Sequence, residues 1–421
     1  MCPAAHGQKL QLVGAAQQPV ELKPEASSGL DAVYVVRTTA GLSAKFTAPA
    51  GTSSLTWSAF GSAGGAYAEP VDATRDGDTW TISSVRPDTG YLIDYADGRR
   101  YYFWVTDWSA HPYDVTDVRV GEADCSSTQL LVSGSAPRIT YYSINGRGIE
   151  IDREISVDYT SLEWNQEAEQ FVPVDRTEHR AWLPDNFYVP APLCETSFTL
   201  SGDRFLAKWG GESHVTTERV SPVAIDCHTE AVPTEREIDN EQKVDGLELG
   251  GSAPAEISFR AAVTDAAIFK EWQIAPDAEF DLVDFSSSDL VTDYTFRDAG
   301  TFYVRFVAAN ADATCEYTSE TYTVTIGESN LQIPNAFSPG SSEGVNDIWK
   351  VSYKSIVKFE CHIFNKWGVK LYEFTDPADG WDGKYKGKLV PPGAYYYVIK
   401  ATGADGRNWD RAGDINIVGY K

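Results

Sequence analysis

The sequence predicts an all-β chain folded as four β-sandwiches in tandem. Short segments rich in Val, Ile, Thr, Tyr and Trp alternate with turns of Gly, Asp, Asn and Pro, and stretches with a clean 3.6-residue apolar period are hard to find. Similar local signatures also recur at a spacing of about 100 residues, the size of one sandwich. A chain of 421 residues has room for four such modules.

Composition narrows the classes of function. The chain holds 12 Trp, 22 Tyr and 18 Phe, enough to fill sizeable cores. Its 61 acidic against 35 basic residues give a net charge of −26, which repels phosphate backbones and excludes nucleic acid as a partner. No stretch approaches the roughly 20 apolar residues that cross a bilayer, so we expect no direct membrane insertion.

Turn-rich breaks near residues 25, 123, 228 and 329 divide the chain. The small residues of 1–8 resemble the tail of a signal-peptide cleavage site, which predicts export, with a short polar lead of a cytosolic protein as the alternative. The predicted parts are an N-terminal lead at 1–24, immunoglobulin-like domains at 25–122 and 123–228, a third sandwich at 229–328 and a last module at 329–421. The polar stretch 229–248 is typical of a linker or edge segment.

Three tyrosine-bearing strands support these sandwiches. Gly90–Tyr95, Gly300–Phe306 and Gly393–Ile399 each place a Gly turn before an aromatic-rich strand with a period of two. In the first two, Asp88 and Asp298 precede the Gly by two residues, as in the corner that leads into a late strand of an immunoglobulin-like domain. We expect the aromatics of these strands in cores and turns. The segment from Tyr294 to Phe306 is similar to the late hairpin of a polycystic-kidney-disease-type sandwich.

The second module contains an irregular region. Alternating apolar residues from Ile149 to Trp164 predict a long strand, whereas Pro173 and the prolines from 184 to 192 predict inserted loops. Long excursions of this kind are common places for partner contacts.

Cysteines repeat at module spacing. Cys125 and Cys227 open the second and third modules, and Cys194 and Cys315 fall late in the same modules. The repeat predicts two intradomain disulfides, Cys125–Cys194 and Cys227–Cys315, and leaves Cys2 and Cys361 over. Six cysteines allow many other pairings, so this assignment depends on the repeat alone. Two disulfides require an oxidising compartment.

Catalytic and metal-binding patterns are missing from the sequence. We find no nucleophile elbow between a strand and a helix, no His-Glu-x-x-His, no Cys-x-x-Cys and no phosphate-binding Gly loop. The run Asp277, Glu279, Asp281 and Asp284 lacks the spacing of a calcium loop and is interpreted as a solvated acidic surface. We therefore predict no enzyme activity, no cofactor and no metal site.

The last ninety residues contain five ordered motifs. These are Leu331–Pro339, Gly344–Trp349, Ile363–Gly368, Gly380–Lys388 and Val390–Ile399, with Gly413–Ile417 closing the series. Their order closely resembles the gliding-motility-associated C-terminal domain, the type B sorting domain of the type IX secretion system. The family usually shows Asn-Gly-Asp-Gly where this chain has Gly340–Gly344, which argues against a calcium role for that loop.

The resemblance implies a set of recognition residues. Most motif residues suit a core role, but an export machine that recognises many members also requires a shared surface. The partner-binding candidates are Asn335, Phe337, Asn346, Asp347, Asn365, Trp367, Trp381 and Asp382.

The resemblance also implies a function. It predicts a non-enzymatic protein exported by the type IX secretion machinery and held at the cell surface on a PorP/SprF-like outer-membrane β-barrel, with structural or partner-binding upstream modules. The alternative is an adhesin that binds glycan or host protein through an aromatic platform of Trp104, Trp108, Trp164 and Trp182. A secreted hydrolase using two carboxylates is a third, weaker reading, because no constellation of residues supports it.

Overall fold

The computed structural model describes residues 9–244, 247–340 and 344–419. About 53% of the chain is strand and 3% is helix, which confirms an all-β fold. The chain divides into two compact units, one formed by Met1–Glu163 with Val172–Ala224 and the other by Trp164–Phe171 with Ile225–Lys421. The predicted signal-peptide remnant at 1–8, with Cys2, lies outside the described residues.

The first unit begins with a sandwich of two sheets, in the orders β1-β4-β8-β7 and β2-β3-β10-β9-β5-β6. Its strands are β1 Lys9–Val13, β2 Val20–Leu22, β3 Ala32–Val36, β4 Ser43–Thr47, β5 Leu55–Phe60, β6 Glu69–Val71, β7 Thr74–Asp76, β8 Thr79–Ile82, β9 Thr89–Tyr95 and β10 Arg100–Asp107. Short 3₁₀ helices lie at Ala26–Ser28, Gly65–Tyr67 and Trp108–Ala110. The alternation of apolar residues directs Phe46, Trp57 and Phe103 into the space between the sheets.

The second part of this unit contains smaller sheets, in the orders β11-β12-β17, β13-β14 and β16-β15-β18-β19. Its elements are β11 Asp114–Ala123, β12 Ser127–Ser135, β13 Ile139–Tyr142, β14 Gly148–Ile151, β15 Ile155–Asn165, β16 Gln170–Arg180, β17 Asn186–Pro190, β18 Thr199–Ser201, α1 Arg204–Lys208 and β19 His214–Thr216. Residues 170–180 form strand β16, which contains Pro173 and extends the hairpin begun by β15. Part of the predicted inserted loop is therefore regular strand.

One apolar core joins the two parts of the first unit. All five side chains of β3 are buried, and Val33 and Val35 share a core with Leu130, Ile155 and Phe198 of the second part. A strand buried on both faces requires apolar residues at consecutive positions, which explains the sequence Ala-Val-Tyr-Val-Val. The two parts are therefore packed together as one unit.

A fully buried ion pair lies in the same unit. Arg153 and Asp203 have no exposed side-chain surface. The Nε of Arg153 donates to Asp203 Oδ2 at 2.8 Å, and the indole nitrogen of Trp108 donates to the same oxygen at 3.0 Å. Asp203 Oδ1 accepts the backbone N–H of Leu206 and so caps α1. Because both charged groups are buried away from water, removal of either one would leave the other without its counter-ion.

The second unit contains a sandwich with sheet orders β20-β22-β25 and β21-β28-β26-β23-β24, in which β27 also pairs with β26. The strands are β20 Cys227–Pro233, β21 Gly250–Gly251, β22 Ala255–Val263, β23 Phe269–Ala275, β24 Phe285–Ser287, β25 Val291–Phe296, β26 Gly300–Ala309, β27 Glu316–Thr318 and β28 Tyr322–Ile326. Phe259, Trp272 and Phe306 pack at the centre of its core.

The same unit contains the last module. Its sheets have the orders β29-β31, β30-β37-β36-β32-β33 and β34-β35. The strands are β29 Asn330–Gln332, β30 Ala336–Phe337, β31 Ser352–Lys354, β32 Ile356–Phe364, β33 Lys370–Phe374, β34 Lys384–Tyr385, β35 Lys388–Leu389, β36 Gly393–Gly403 and β37 Asn408–Ile417. Trp349, Trp381 and Ile399 are fully buried in its core.

The polar stretch 229–248 is more ordered than a free linker within its described part. Strand β20 includes its first residues and pairs with β22. The side-chain amide of Asn240 donates to the carbonyl oxygens of Val351 and Pro377, both at 2.8 Å, and the backbone N–H of Gln242 donates to Tyr353 O at 2.7 Å. These bonds tie the stretch to the last module.

The tyrosine corner predicted on β9 is confirmed, and a second corner, which was not predicted, occurs on β36. The hydroxyl of Tyr91, on β9, accepts the backbone N–H of Arg86 at 2.7 Å. The hydroxyl of Tyr395, on β36, donates to the carbonyl oxygen of Pro391 at 2.8 Å. Each tyrosine thus pins the chain a few residues upstream, as in immunoglobulin-like sandwiches.

The predicted disulfide pairing is wrong. Cys125 and Cys315 each take part in a disulfide, but Cys227 is a thiol whose pKa is raised to about 12 by burial and by Asp226. Cys194 is also a thiol and contacts the carbonyl oxygen of Thr160 at 3.7 Å. Cys361 is buried in the core of the last module, which raises its pKa to about 12.

Candidate recognition surface of the last module

Two of the predicted partner-binding residues belong to the core. Phe337 is 4% exposed and Trp381 is fully buried, with their rings 5.6 Å apart. The Trp381 indole nitrogen donates to Lys384 O at 3.0 Å. Buried side chains offer no surface to a partner, so the structure corrects the predicted contact role of these two residues to a structural one.

Three others stabilise their own turns. Asp347 accepts the backbone N–H groups of Gly340 and Gly344 at 2.8 and 2.7 Å. Asn365 Oδ1 accepts the N–H groups of Trp367 and Val369, both at 3.0 Å. Asp382 accepts the N–H of Lys384 at 3.0 Å. Side-chain acceptors of this type fix turn conformation, and here they determine which residues face outward.

The remaining three predicted residues are exposed. Asn335 and Asn346 lie on turns, and the backbone of Asn346 has φ +53° while its carbonyl oxygen accepts the N–H of Ser338. Trp367 is 76% exposed, although tryptophan is usually well buried. A large apolar side chain held in water is a candidate contact for a partner.

The turn between β32 and β33 explains the exposure of Trp367. Its sequence is Asn365-Lys366-Trp367-Gly368, and Gly368 adopts φ +78°, a conformation that glycine accepts without a steric cost. The side chain of Asn365 fixes the turn by accepting backbone N–H groups of the turn, and Trp367 lies at the tip of the turn. The Nζ of Lys366 lies 4.5 Å from the centre of the Trp367 ring.

A second turn of similar composition connects β34 and β35. Lys386 and Gly387 have φ +53° and +79°, as a tight type I′ hairpin requires. Lys384, Lys386 and Lys388 are all exposed. The Nζ of Lys386 lies 5.3 Å from the centre of the Tyr385 ring, so an aromatic ring and a lysine are again neighbours.

Sheet register relates the two turns. Phe364, the last residue of β32, pairs with Tyr396 near the start of β36. The hairpin of β34 and β35 precedes the same start of β36, and Tyr395 packs on Trp381 with ring centroids 5.4 Å apart. Both turns therefore belong to the end of the module at which β36 begins. We call residues 365–370 and 384–389 together the lysine–tryptophan end.

Charge at this end is only partly compensated. Lys370 forms a hydrogen-bonded ion pair with Glu373 that lowers the pKa of this carboxyl group, with a smaller contribution from His362. Lys384 pairs with Asp382 at 2.7 Å. Lys366, Lys386 and Lys388 form no ion pair with any described residue. The predicted recognition residues include none of these lysines, although the alternation of lysines around Gly387 is visible in the sequence.

The predicted aromatic platform is not formed. Trp104 is fully buried and Trp108 is 8% exposed, both in the core of the first unit. Trp182 is half-buried beneath the guanidinium of Arg138 at 4.0 Å, and Trp164 is half-buried and stacks on His228 in the second unit with ring centroids 4.0 Å apart. Sequence alternation did not distinguish these packed rings from exposed ones.

The described residues offer neither a grouped set of metal ligands nor a membrane-spanning helix. Across 9–244, 247–340 and 344–419, no three His, Cys, Asp or Glu side chains are grouped in a way that would hold a metal ion. None of the described helices has the length and apolar character needed to span a bilayer.

Comparison with known families decides the class of the last module. Residues 331–417 match the CHU_C type IX secretion signal domain. The last module is a type IX secretion signal domain. This sorting domain marks the chain as exported to the cell surface or the extracellular space. It carries the five motifs on which the sequence resemblance depended, so the resemblance is confirmed.

Other comparisons concern the rest of the chain. Residues 117–217 match a fibronectin type III domain, and both matched families are non-catalytic. No curated protein matches the chain. A solved structure titled "Crystal structure of tetra-tandem repeat in extending region of large adhesion protein" aligns at 12% identity and a TM-score of 0.23, over 91% of this chain and 96% of that one.

Proposed function

We propose that the sorting domain docks this non-enzymatic protein on an outer-membrane β-barrel of the PorP/SprF-like family, after export by the type IX secretion machinery. The match of residues 331–417 to the secretion signal domain carries the proposal. The hydrophobic core of the sorting domain also supports the proposal, because a folded domain presents the same surface on every copy of the chain. The exposed residues Asn335, Asn346 and Trp367 are the predicted residues able to take part in that surface.

The upstream sandwiches serve as structural or partner-binding modules in this proposal. The boundaries near residues 25, 123, 228 and 329 stay a prediction. An adhesive role for the upstream modules stays the alternative, but the four tryptophans predicted to form its platform are packed against neighbours.

A pull-down from outer-membrane extract tests the docking. The bait is the full chain beside a chain that ends at Glu328, and bound proteins are identified by mass spectrometry. We expect a β-barrel of the PorP/SprF-like family with the full chain alone, because residues 329–421 provide the contact. Equal capture of that barrel by both chains would refute docking through the sorting domain and transfer recognition to the upstream modules.

A further inference from the structure

Charge is distributed unevenly along the chain. Residues 329–421 contain 12 Lys and Arg against 10 Asp and Glu, a net charge of +2. Residues 1–328 contain 23 Lys and Arg against 51 Asp and Glu, a net charge of −28. A partner with an acidic surface would therefore repel the upstream modules but not the sorting domain. Complementary charge of this kind selects which end of a protein approaches a partner.

The lysine–tryptophan end concentrates the features of a binding contact. Lys366, Lys386 and Lys388 are exposed and form no ion pair within the described part of the chain. Trp367, at 76% exposure, lies next to Lys366 on a turn that Asn365 holds in place, and Lys386 and Lys388 lie on the other turn at this end of the module. Tryptophan is enriched among the few residues that dominate interface energies. A turn that is already ordered loses little conformational entropy when it binds.

We infer that the lysine–tryptophan end is the contact of the sorting domain with its docking barrel, and that the complementary surface is acidic with an apolar pocket for Trp367. The inference rests on the proposed function. It adds which residues make the contact, what chemistry the partner surface has and which end of the chain docks. The acidic upstream modules are held away from an acidic barrel surface, so the chain docks by its last module and extends outward.

Binding to the captured barrel, purified in detergent, tests this inference. The full chain is compared with Trp367→Ala and with Lys386→Glu/Lys388→Glu. Trp367→Ala should weaken the affinity by about 30-fold, as expected for a central interface tryptophan. The lysine variant should slow association by about tenfold at low salt and reduce its salt dependence, because these charges guide the encounter.

Matched controls separate this contact from general effects. Tyr67→Ala removes a 75% exposed aromatic side chain in the first unit, and Lys358→Glu reverses an exposed lysine on β32 of the sorting domain itself. Both should bind like the unmodified chain. Circular dichroism of every variant confirms folding, which is expected to persist because the altered side chains are exposed.

The outcomes distinguish this inference from the proposed function. If Trp367→Ala and the lysine variant bind normally while the chain ending at Glu328 does not bind, the inference is overturned and docking by the sorting domain stands. If the chain ending at Glu328 binds equally well, or the full chain captures no barrel, both fail. Equally tight binding of the full chain to protein-free vesicles of phosphatidylcholine and phosphatidylglycerol in equal parts would overturn the inference, because the contact would then be lipid.

Discussion

Replacing Trp381 with alanine is expected to unfold the sorting domain and remove the protein from the cell surface. The Trp381 side chain is fully buried between Phe337 and Tyr395, and its backbone exchanges hydrogen bonds with Trp349 at 2.9 and 3.0 Å. Truncating a buried tryptophan to alanine costs about 3–5 kcal/mol because it leaves a cavity. Whole domains are stable by only about 5–15 kcal/mol.

Hydrogen exchange measures this loss within the full chain. Peptides from β32, β36 and β37 should lose protection in Trp381→Ala, and those from the first unit should not. Trp367→Ala is the matched control, since it removes the same side chain from an exposed turn of the same domain and should change stability by no more than about 0.5 kcal/mol. Equal loss of protection in the two variants would show that burial of Trp381 does not stabilise the domain.

Replacing Asp203 with alanine is expected to destabilise the first unit by a similar amount. The change leaves the guanidinium of Arg153 buried without its counter-ion and removes the acceptor of the Trp108 indole and the cap of α1. Breaking a buried ion pair from one side costs about 3–5 kcal/mol, more than the pair itself contributes. Hydrogen exchange should report the loss in β15, which begins shortly after Arg153, and in β18, which ends shortly before Asp203.

Asp97→Ala provides the control for this second prediction. Asp97 pairs with Arg99 at 2.8 Å, but both side chains are more than half exposed. Exposed pairs contribute about 0–1 kcal/mol, so exchange in the first unit should stay unchanged. A loss of protection as large as that in Asp203→Ala would contradict the role assigned to burial.

Local patterns were sufficient to predict much of the fold. A period of two in the aromatic strands predicted the all-β architecture, and Asp88 and Gly90 before Tyr91 predicted a corner that the structure contains. These features depend on neighbours a few residues apart, which a sequence displays directly. The ordered motifs of the last module identified the sorting domain for the same reason.

Features that depend on distant neighbours were not predictable. The repeat of cysteines suggested Cys227–Cys315, but Cys227 is a thiol while Cys315 is disulfide-bonded. The partner of Arg153 is 50 residues away in the sequence, so its burial has no local signal.

The candidate recognition residues show the same difference between local patterns and contacts distant in the sequence. Trp367 and Trp381 both lie beside glycines in family motifs, yet one is at a turn tip and the other in the core. The difference arises because Trp381 pairs with Trp349, a contact between separate motifs. Sequence motifs therefore identified the domain and not which of its side chains are exposed.

Surface labelling of intact cells tests the central claim most directly. The full chain is made in a strain with a working type IX system and in one that lacks its outer-membrane channel, and a chain ending at Glu328 is made in the first strain. The account predicts labelling of the full chain in the first strain alone, with the shortened chain retained in the periplasm. Equal surface labelling of the shortened chain would contradict the claim that residues 329–421 direct export.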